Sequence, residues 1–237
     1  MNTFYTNKVY ILYQNDYEKD RIINYIKKFN IILDYKLFKS IDYDNTINLK
    51  EEHISANLYF NKCIKFYNNC KLNKNQISHS SSIIKILKDA INSNYSSITI
   101  LEYDIYFNNN LNKLLPKYKS LIDNSDIIYL GTSQHRWYNP INNTKILYYN
   151  NYYEANHSLG TFAIILKKSI FKIFLTYLNL YLLPSDVILS IVGVNYKSYV
   201  LYPNLVICDI SKSSILKDRN IIETFLKFKW NKNNYLF

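Results

Sequence analysis

Two acidic residues follow an apolar run in "SITILEYDIYF", residues 97 to 107. Ile98, Ile100 and Leu101 lead into Glu102 and Asp104, with Tyr103 between them. The run reads as a buried strand. Residues i and i+2 of a strand share a face, so an extended chain through Asp104 would make the two carboxylates converge. Like charges held that close repel each other unless a cation sits between them. Open α/β sheets take their ligands beyond the carboxyl ends of the strands. A hard divalent cation, Mn²⁺ or Mg²⁺, with its shell completed by phosphate oxygens, suits such a pair. The chemistry expected is metal-assisted handling of a diphosphate. An acid-x-acid pair also fits two solvated side chains at a strand end, so the surrounding elements must decide.

Other side chains could serve the same chemistry. Ser78 and His79 lie in "NQISHSSSIIKIL". His79 could orient a donor or a carboxylate, or cap and pack; Ser78 is an ordinary N-cap type. Tyr13 ends the run "KVYILY" and could stack on a flat ring of a ligand. The loop "SQHRWYNP" holds His135, Arg136 and Trp137 after a buried strand, where ligand contacts are often found. Arg136 could pair with a phosphate and Trp137 could lie on a sugar. Asp186 follows Pro184 at a helix start. There it could act as a general base, or only favour the helix N-terminus. Asp209 and Lys212 are further candidates for closing over a diphosphate, and Glu154 is a reserve base.

The elements that must position these residues alternate. "KVYILY", residues 8 to 13, reads as a first strand. A helix follows, with Asp16 as N-cap and Ile22, Ile23, Ile26 and Phe29 on one face. "DYKLFKS" is a second strand and "LKEEHISANLYFNKCIKFY" a helix. "NQISHSSSIIKILKDAI" is a further helix with Ile83, Ile84, Leu87 and Ile91 aligned. After the acidic strand come a helix over 109 to 122 and strands over 126 to 131 and 160 to 166. They are followed by a helix over 168 to 182, the helical "SDVILSIV", a late strand "SYVLYP", and a polar, basic tail from about 209. Strands alternating with helices predict an α/β fold on a mixed, mostly parallel sheet flanked by helices.

With 237 residues and 48% hydrophobic content, the chain can build one large core. One domain spanning 1–237 is expected. The Asn-, Ile-, Lys- and Tyr-rich bias is that of an AT-rich coding genome. Such a genome could be that of a giant virus or of an AT-rich protist; a viral source would place the protein in its host's cytoplasm. Net charge is +11, which favours anionic partners. The lysines are scattered, and no nucleic-acid-binding signature is present, so a nucleic-acid partner is not expected. Cys63, Cys70 and Cys208 form no CxxC pair and fit a reducing compartment. The N-terminus lacks the pattern of a secretory signal. "SIFKIFLTYLNLYLL" is too short for a membrane span. These features predict a cytoplasmic location. Oligomeric state is open, with a homodimer among the options.

Six segments resemble glycosyltransferase family 25, which includes lipopolysaccharide sugar transferases and collagen galactosyltransferase-like enzymes. "ILEYDIYF" resembles the family's "ILEDD" segment, and "NQISHSSSIIKIL" supplies a Ser-His pair about twenty residues upstream. "DIIYLG", "GTFAIILKKSIFK", "LPSDVIL" and "YPNLVICDISKSSI" resemble the family's following segments in order. The resemblance implies a GT-A fold, with a Rossmann-like nucleotide half over about 1–130 merged with an acceptor half over about 131–237. It implies metal-dependent transfer of a sugar from a UDP-sugar donor to a hydroxyl of a glycan or protein acceptor, with inversion. It puts Glu102 and Asp104 on the metal and Ser78, His79 and Gly160 near the donor; Tyr13, Tyr103 and Arg136 are the remaining donor-binding candidates. Asp186 falls on the acceptor side. The chain departs from the pattern at Tyr103, where the family has an acid, and at Asn75 and Gln76, where it has Gly-Cys. A degenerate homologue that only binds sugar nucleotide, and a non-catalytic basic, aromatic-rich module for polysaccharide or nucleic acid, are the rival readings.

Overall fold

The computed structural model describes residues 4–29, 31, 34–41, 72–138, 149–212 and 220–237. Strand β1, Lys8–Tyr13, is buried along its middle. Helix α1, Asp16–Lys28, begins one residue after its cap: Asn15, not Asp16, accepts the Glu18 amide, and Asp16 stands in the acidic first turn. Strand β2 is Tyr35–Lys39. Helix α2, Lys74–Asn92, opens on a capping box in which Asn73 and Gln76 satisfy each other's backbone amides. The acidic strand β3 is Ser97–Glu102, and a short strand β4, Ile105–Phe107, follows the turn.

The stretch expected as one helix over 109 to 122 is broken. Helix α3, Leu111–Leu114, passes through a 3₁₀ turn at Leu115–Tyr118 into α4, Lys119–Asn124. Pro116 sits in the 3₁₀ turn and has no amide to continue an α-helical ladder. Then come β5, Ile127–Tyr129, the edge strand β6, Tyr152–Glu154, and β7, Ala163–Lys167. Helix α5, Lys168–Leu178, stops short of the expected 182, and helix α6 is Ser185–Gly193. Strands β8, Ser198–Leu201, and β9, Val206–Cys208, precede helix α7, Ile221–Phe228. The tail is therefore more than polar and basic: Phe228, Trp230 and Tyr235 are buried in it. The helix expected around "LKEEHISANLYFNKCIKFY", with Cys63 and Cys70, lies outside the described residues.

Seven strands form one sheet in the order β2-β1-β3-β7-β5-β8-β6, and β4 pairs with β9 in a second, two-stranded sheet. Strands β2, β1, β3, β5 and β8 run one way, while β7 and β6 run against them. This is the mixed, mostly parallel α/β sheet that the alternation predicts. The pleat sorts each strand between two cores. Tyr10, Leu12, Ile98 and Ile100 pack with Ile83, Leu87, Phe171, Phe174 and Ile188 of α2, α5 and α6. Val9, Ile11 and Leu101 pack on the opposite side with Ile22 and Ile26 of α1, Ile122 of α4 and Phe228 of α7. Both faces are covered, so the central strands are continuous apolar runs.

Candidate active site

A cleft of about 510 Å³ lies where β1, β3 and β5 end. Gln14 enters it from the end of β1, Glu102 from the end of β3, and Ser133 and His135 from the loop after β5. The first turns of α2 and α6 supply Asn75, Gln76, Pro184, Ser185 and Asp186. This is the edge at which open α/β sheets place ligands.

Glu102 is the last residue of β3, and its amide still bonds to the Phe162 carbonyl at 2.8 Å. By the pleat its side chain falls on the α2 face. There His79 meets it, with Nε2 3.1 Å from Glu102 Oε1. The other imidazole nitrogen, Nδ1, is 2.9 Å from the hydroxyl of Ser185. The ring is thus pinned at both ends between β3 and α6. Burial pushes its pKa down, but the Glu102 charge and hydrogen bond, with Asp186 and Asp104 behind them, outweigh burial and hold it above 6.5.

Asp104 reaches the cleft by a different route from the one expected. The strand stops at Glu102, and Tyr103 and Asp104 form a turn. Strand alternation therefore does not aim Asp104; the turn does. A network clamps that turn. Arg21 Nη1 donates to the Tyr103 carbonyl at 2.9 Å, and Nη2 donates to the Tyr106 hydroxyl at 3.1 Å. The Tyr106 hydroxyl donates to Asp209 Oδ2 at 3.0 Å. The Asp209 amide closes the ring on the Asp104 carbonyl at 2.7 Å. Within the turn, Oδ1 of Asp104 is buried without a hydrogen-bond partner. Burial, then the neighbouring Glu102 charge, pushes its pKa up to about 8. An acid with a buried, unmet acceptor beside a second carboxylate fits a hard cation. Among the described residues no three His, Cys, Asp or Glu side chains gather into a metal cage. An ion here would draw its remaining ligands from water and from the substrate's phosphates, as Mg²⁺ commonly does.

Asp186 stands in the first turn of α6, whose N-cap is Pro184. Its carboxylate accepts two backbone amides, from Gly160 at 3.2 Å and Val187 at 2.9 Å. Burial raises its pKa above the usual carboxylate range against the pull of those two amides. Gly160 can make its contact because its φ is +96°, a conformation that side chains disfavour. A Cβ there would come within 2.7 Å of the Phe162 ring.

Of the residues singled out in the sequence, His79, Glu102, Tyr103, Asp104, His135, Gly160, Asp186 and Asp209 line the cleft. Tyr13, Ser78 and Arg136 do not. Tyr13 completes β1 and its carbonyl accepts the Ser40 amide; its neighbour Gln14 is the lining residue. Ser78 falls in the second turn of α2, so it is not the cap, and its hydroxyl donates to the Ile41 carbonyl. Arg136 is exposed, and its carbonyl accepts from Gln134 Nε2. Trp137 packs on Tyr153, with ring centroids 5.6 Å apart, and donates to the Lys227 carbonyl. The Lys212 side chain lies outside the described residues. Sequence reasoning missed Ser185 and Thr161. Ser185 is 106 residues from His79, and nothing local marks the pair.

The sequence model of glycosyltransferase family 25 (LPS biosynthesis protein) matches residues 9–189, well over half of the chain. The chain belongs to glycosyltransferase family 25. Its mixed, mostly parallel sheet flanked by helices is consistent with a Rossmann-like glycosyltransferase fold, and its activity is transfer of a sugar from a donor to an acceptor. No curated protein matches the chain. Among solved structures it is similar to the "Crystal Structure of A197 from STIV", at 10% identity and a TM-score of 0.37, over 90% of this chain and 99% of that one. Among the described residues of this family 25 glycosyltransferase, no helix is long and apolar enough to cross a membrane.

Proposed function

We propose that this glycosyltransferase uses a UDP-sugar, depends on Mn²⁺ or Mg²⁺, and inverts the anomeric carbon as it glycosylates a hydroxyl of a glycan or protein. The observation that carries the reading is the unpartnered, buried oxygen of Asp104 beside Glu102 at the ligand-binding edge of the sheet. Glu102 and Asp104 would hold the cation, which supplies positive charge to the departing diphosphate as a Lewis acid. His79, fixed by Ser185, keeps the Glu102 carboxylate from swinging away.

Asp186 takes the acceptor proton. The acceptor oxygen forms a bond to the anomeric carbon as the bond from that carbon to the phosphate oxygen breaks, and UDP leaves with the electron pair. A carboxyl whose pKa burial has raised is a better base than a solvated one. Its two amide bonds leave lone pairs for a third contact.

The test is UDP release and sugar transfer measured over a donor panel, with Mn²⁺, with Mg²⁺ and with EDTA. Metal-dependent turnover of a UDP-sugar is expected. Full turnover in EDTA, or preference for a different nucleotide, would remove the metal or the UDP part of the reading.

A further inference from the structure

Helix α7 presents an unusual outer surface. Its inner side is anchored by the buried Thr224 and Phe228, with Trp230 just beyond. On the outer side Ile222 and Leu226, one turn apart, are each 73% exposed, and Ile221 and Phe237 are close to half exposed. These four residues border an apolar groove of about 670 Å³ that shares Cys208, Asp209 and Ile210 with the catalytic cleft. Exposed Lys227, Lys229 and Lys232 surround them, with Glu223 as the acid of the helix. Lys229 also lies over the Trp137 ring at 3.7 Å, and Lys232 over Phe237 at 5.2 Å, so the cations and the apolar residues form one surface.

From this juxtaposition we propose that the α7 face docks on an anionic lipid bilayer, placing the cleft mouth at the membrane surface. A hydrophobic pair ringed by lysines matches an interfacial helix, which sinks its apolar side chains below the headgroups and leaves its cations among the phosphates. The charge of the whole chain, +11, acts in the same direction. A second copy is a poorer occupant, because stacking this face on itself would oppose the same lysines. The docking concerns a surface outside the cleft and does not depend on the donor, metal or base assignments.

The test is sedimentation of the full chain with vesicles of phosphatidylcholine alone and of phosphatidylcholine mixed with phosphatidylserine, at low and high salt. Binding is expected to the mixed vesicles alone and to weaken with salt. Ile222→Asp and Leu226→Asp should each reduce partitioning by about tenfold. Lys227→Glu with Lys232→Glu should reduce it by at least about tenfold, since each lost surface cation alone is worth about fivefold. All four positions are solvent-facing, so the melting temperature should stay unchanged. Absence of binding to the mixed vesicles overturns the proposal, as does undiminished binding of the Ile222→Asp, Leu226→Asp double variant. So does a homodimer, seen by analytical ultracentrifugation, that the double variant splits into monomers.

Discussion

Asp104 and Asp186 are both half-buried carboxyls with raised pKa values, yet their surroundings ask different things of them. Asp104 has an oxygen that nothing satisfies, whereas Asp186 has two backbone amides. Asp104→Asn should therefore abolish metal-dependent UDP-sugar binding while raising the melting temperature of the metal-free protein at pH 8, because an uncompensated buried charge is removed. Calorimetric titration with UDP and Mn²⁺, beside a thermal melt, reads both effects; unchanged donor affinity would take Asp104 out of the metal site. Asp186→Asn should lower kcat by ~10²–10⁴ with little change in donor KM. The variant should also lose stability: an amide presents one acceptor where the carboxylate presents two, so one backbone N–H loses its partner at a cost of about 1–3 kcal/mol. Chemical denaturation measures that loss separately from turnover. Near-normal transfer by Asp186→Asn would end its role as base.

At the scale of elements, the site depends on the turn between β3 and β4 and on the Gly160 loop before β7. Arg21 holds the turn from α1 through the Tyr103 carbonyl and the Tyr106 hydroxyl. Arg21→Ala should weaken metal-dependent donor binding even though Arg21 is not among the residues lining the cleft. Arg21→Lys should restore little, since one ammonium cannot reproduce the planar, two-pronged contact. The donor Kd with and without Mn²⁺ separates this effect from a general loss of fold. Gly160→Ala combines a positive φ with a clash against Phe162. It should cost ~1–3 kcal/mol in urea unfolding and reduce kcat, because the amide that steadies Asp186 moves with it. A Gly160→Ala variant with wild-type stability and rate would show that the loop relaxes freely.

For the molecule as a whole, the clustered acids predict how stability follows pH. Asp104 has a folded pKa near 8 against an ordinary 3.8, and Asp186 and His79 are also raised. Groups raised in the folded state bind more protons folded than unfolded. Their contribution is fully present below their unfolded values and is lost as pH rises through their folded ones. The metal-free protein should therefore melt at progressively lower temperature from about pH 5 to pH 8, with the share of the slope due to Asp104 fading near pH 8 as it ionises in the folded state too. Saturating Mn²⁺ should flatten that profile by pairing the charge. A metal-free melting temperature that is constant or rises over this range would contradict the placement of these groups.

The alternation of apolar runs with amphipathic ones was enough, by itself, to determine an α/β sheet covered on both faces. Strand burial and helix faces are periodic and local. Glu102 and Asp186 could be singled out for a related reason: an acid directly after a buried strand, or at a helix start after proline, has few apolar uses. Tertiary structure alone decided which candidates meet. The capping box at Asn73 starts α2 early enough to turn Ser78 away from the cleft and leave His79 facing it. Only the packing of α2 against α6 brings Ser185 to His79. The clamp from Arg21 and Asp209, rather than strand pleating, aims Asp104. The tail reads as polar and basic because lysines and asparagines break up its apolar residues. They become a buried anchor and an exposed apolar face once Phe228 packs on His135 and Trp230 on Phe162, since burial is set by long-range contacts that no short window of sequence contains.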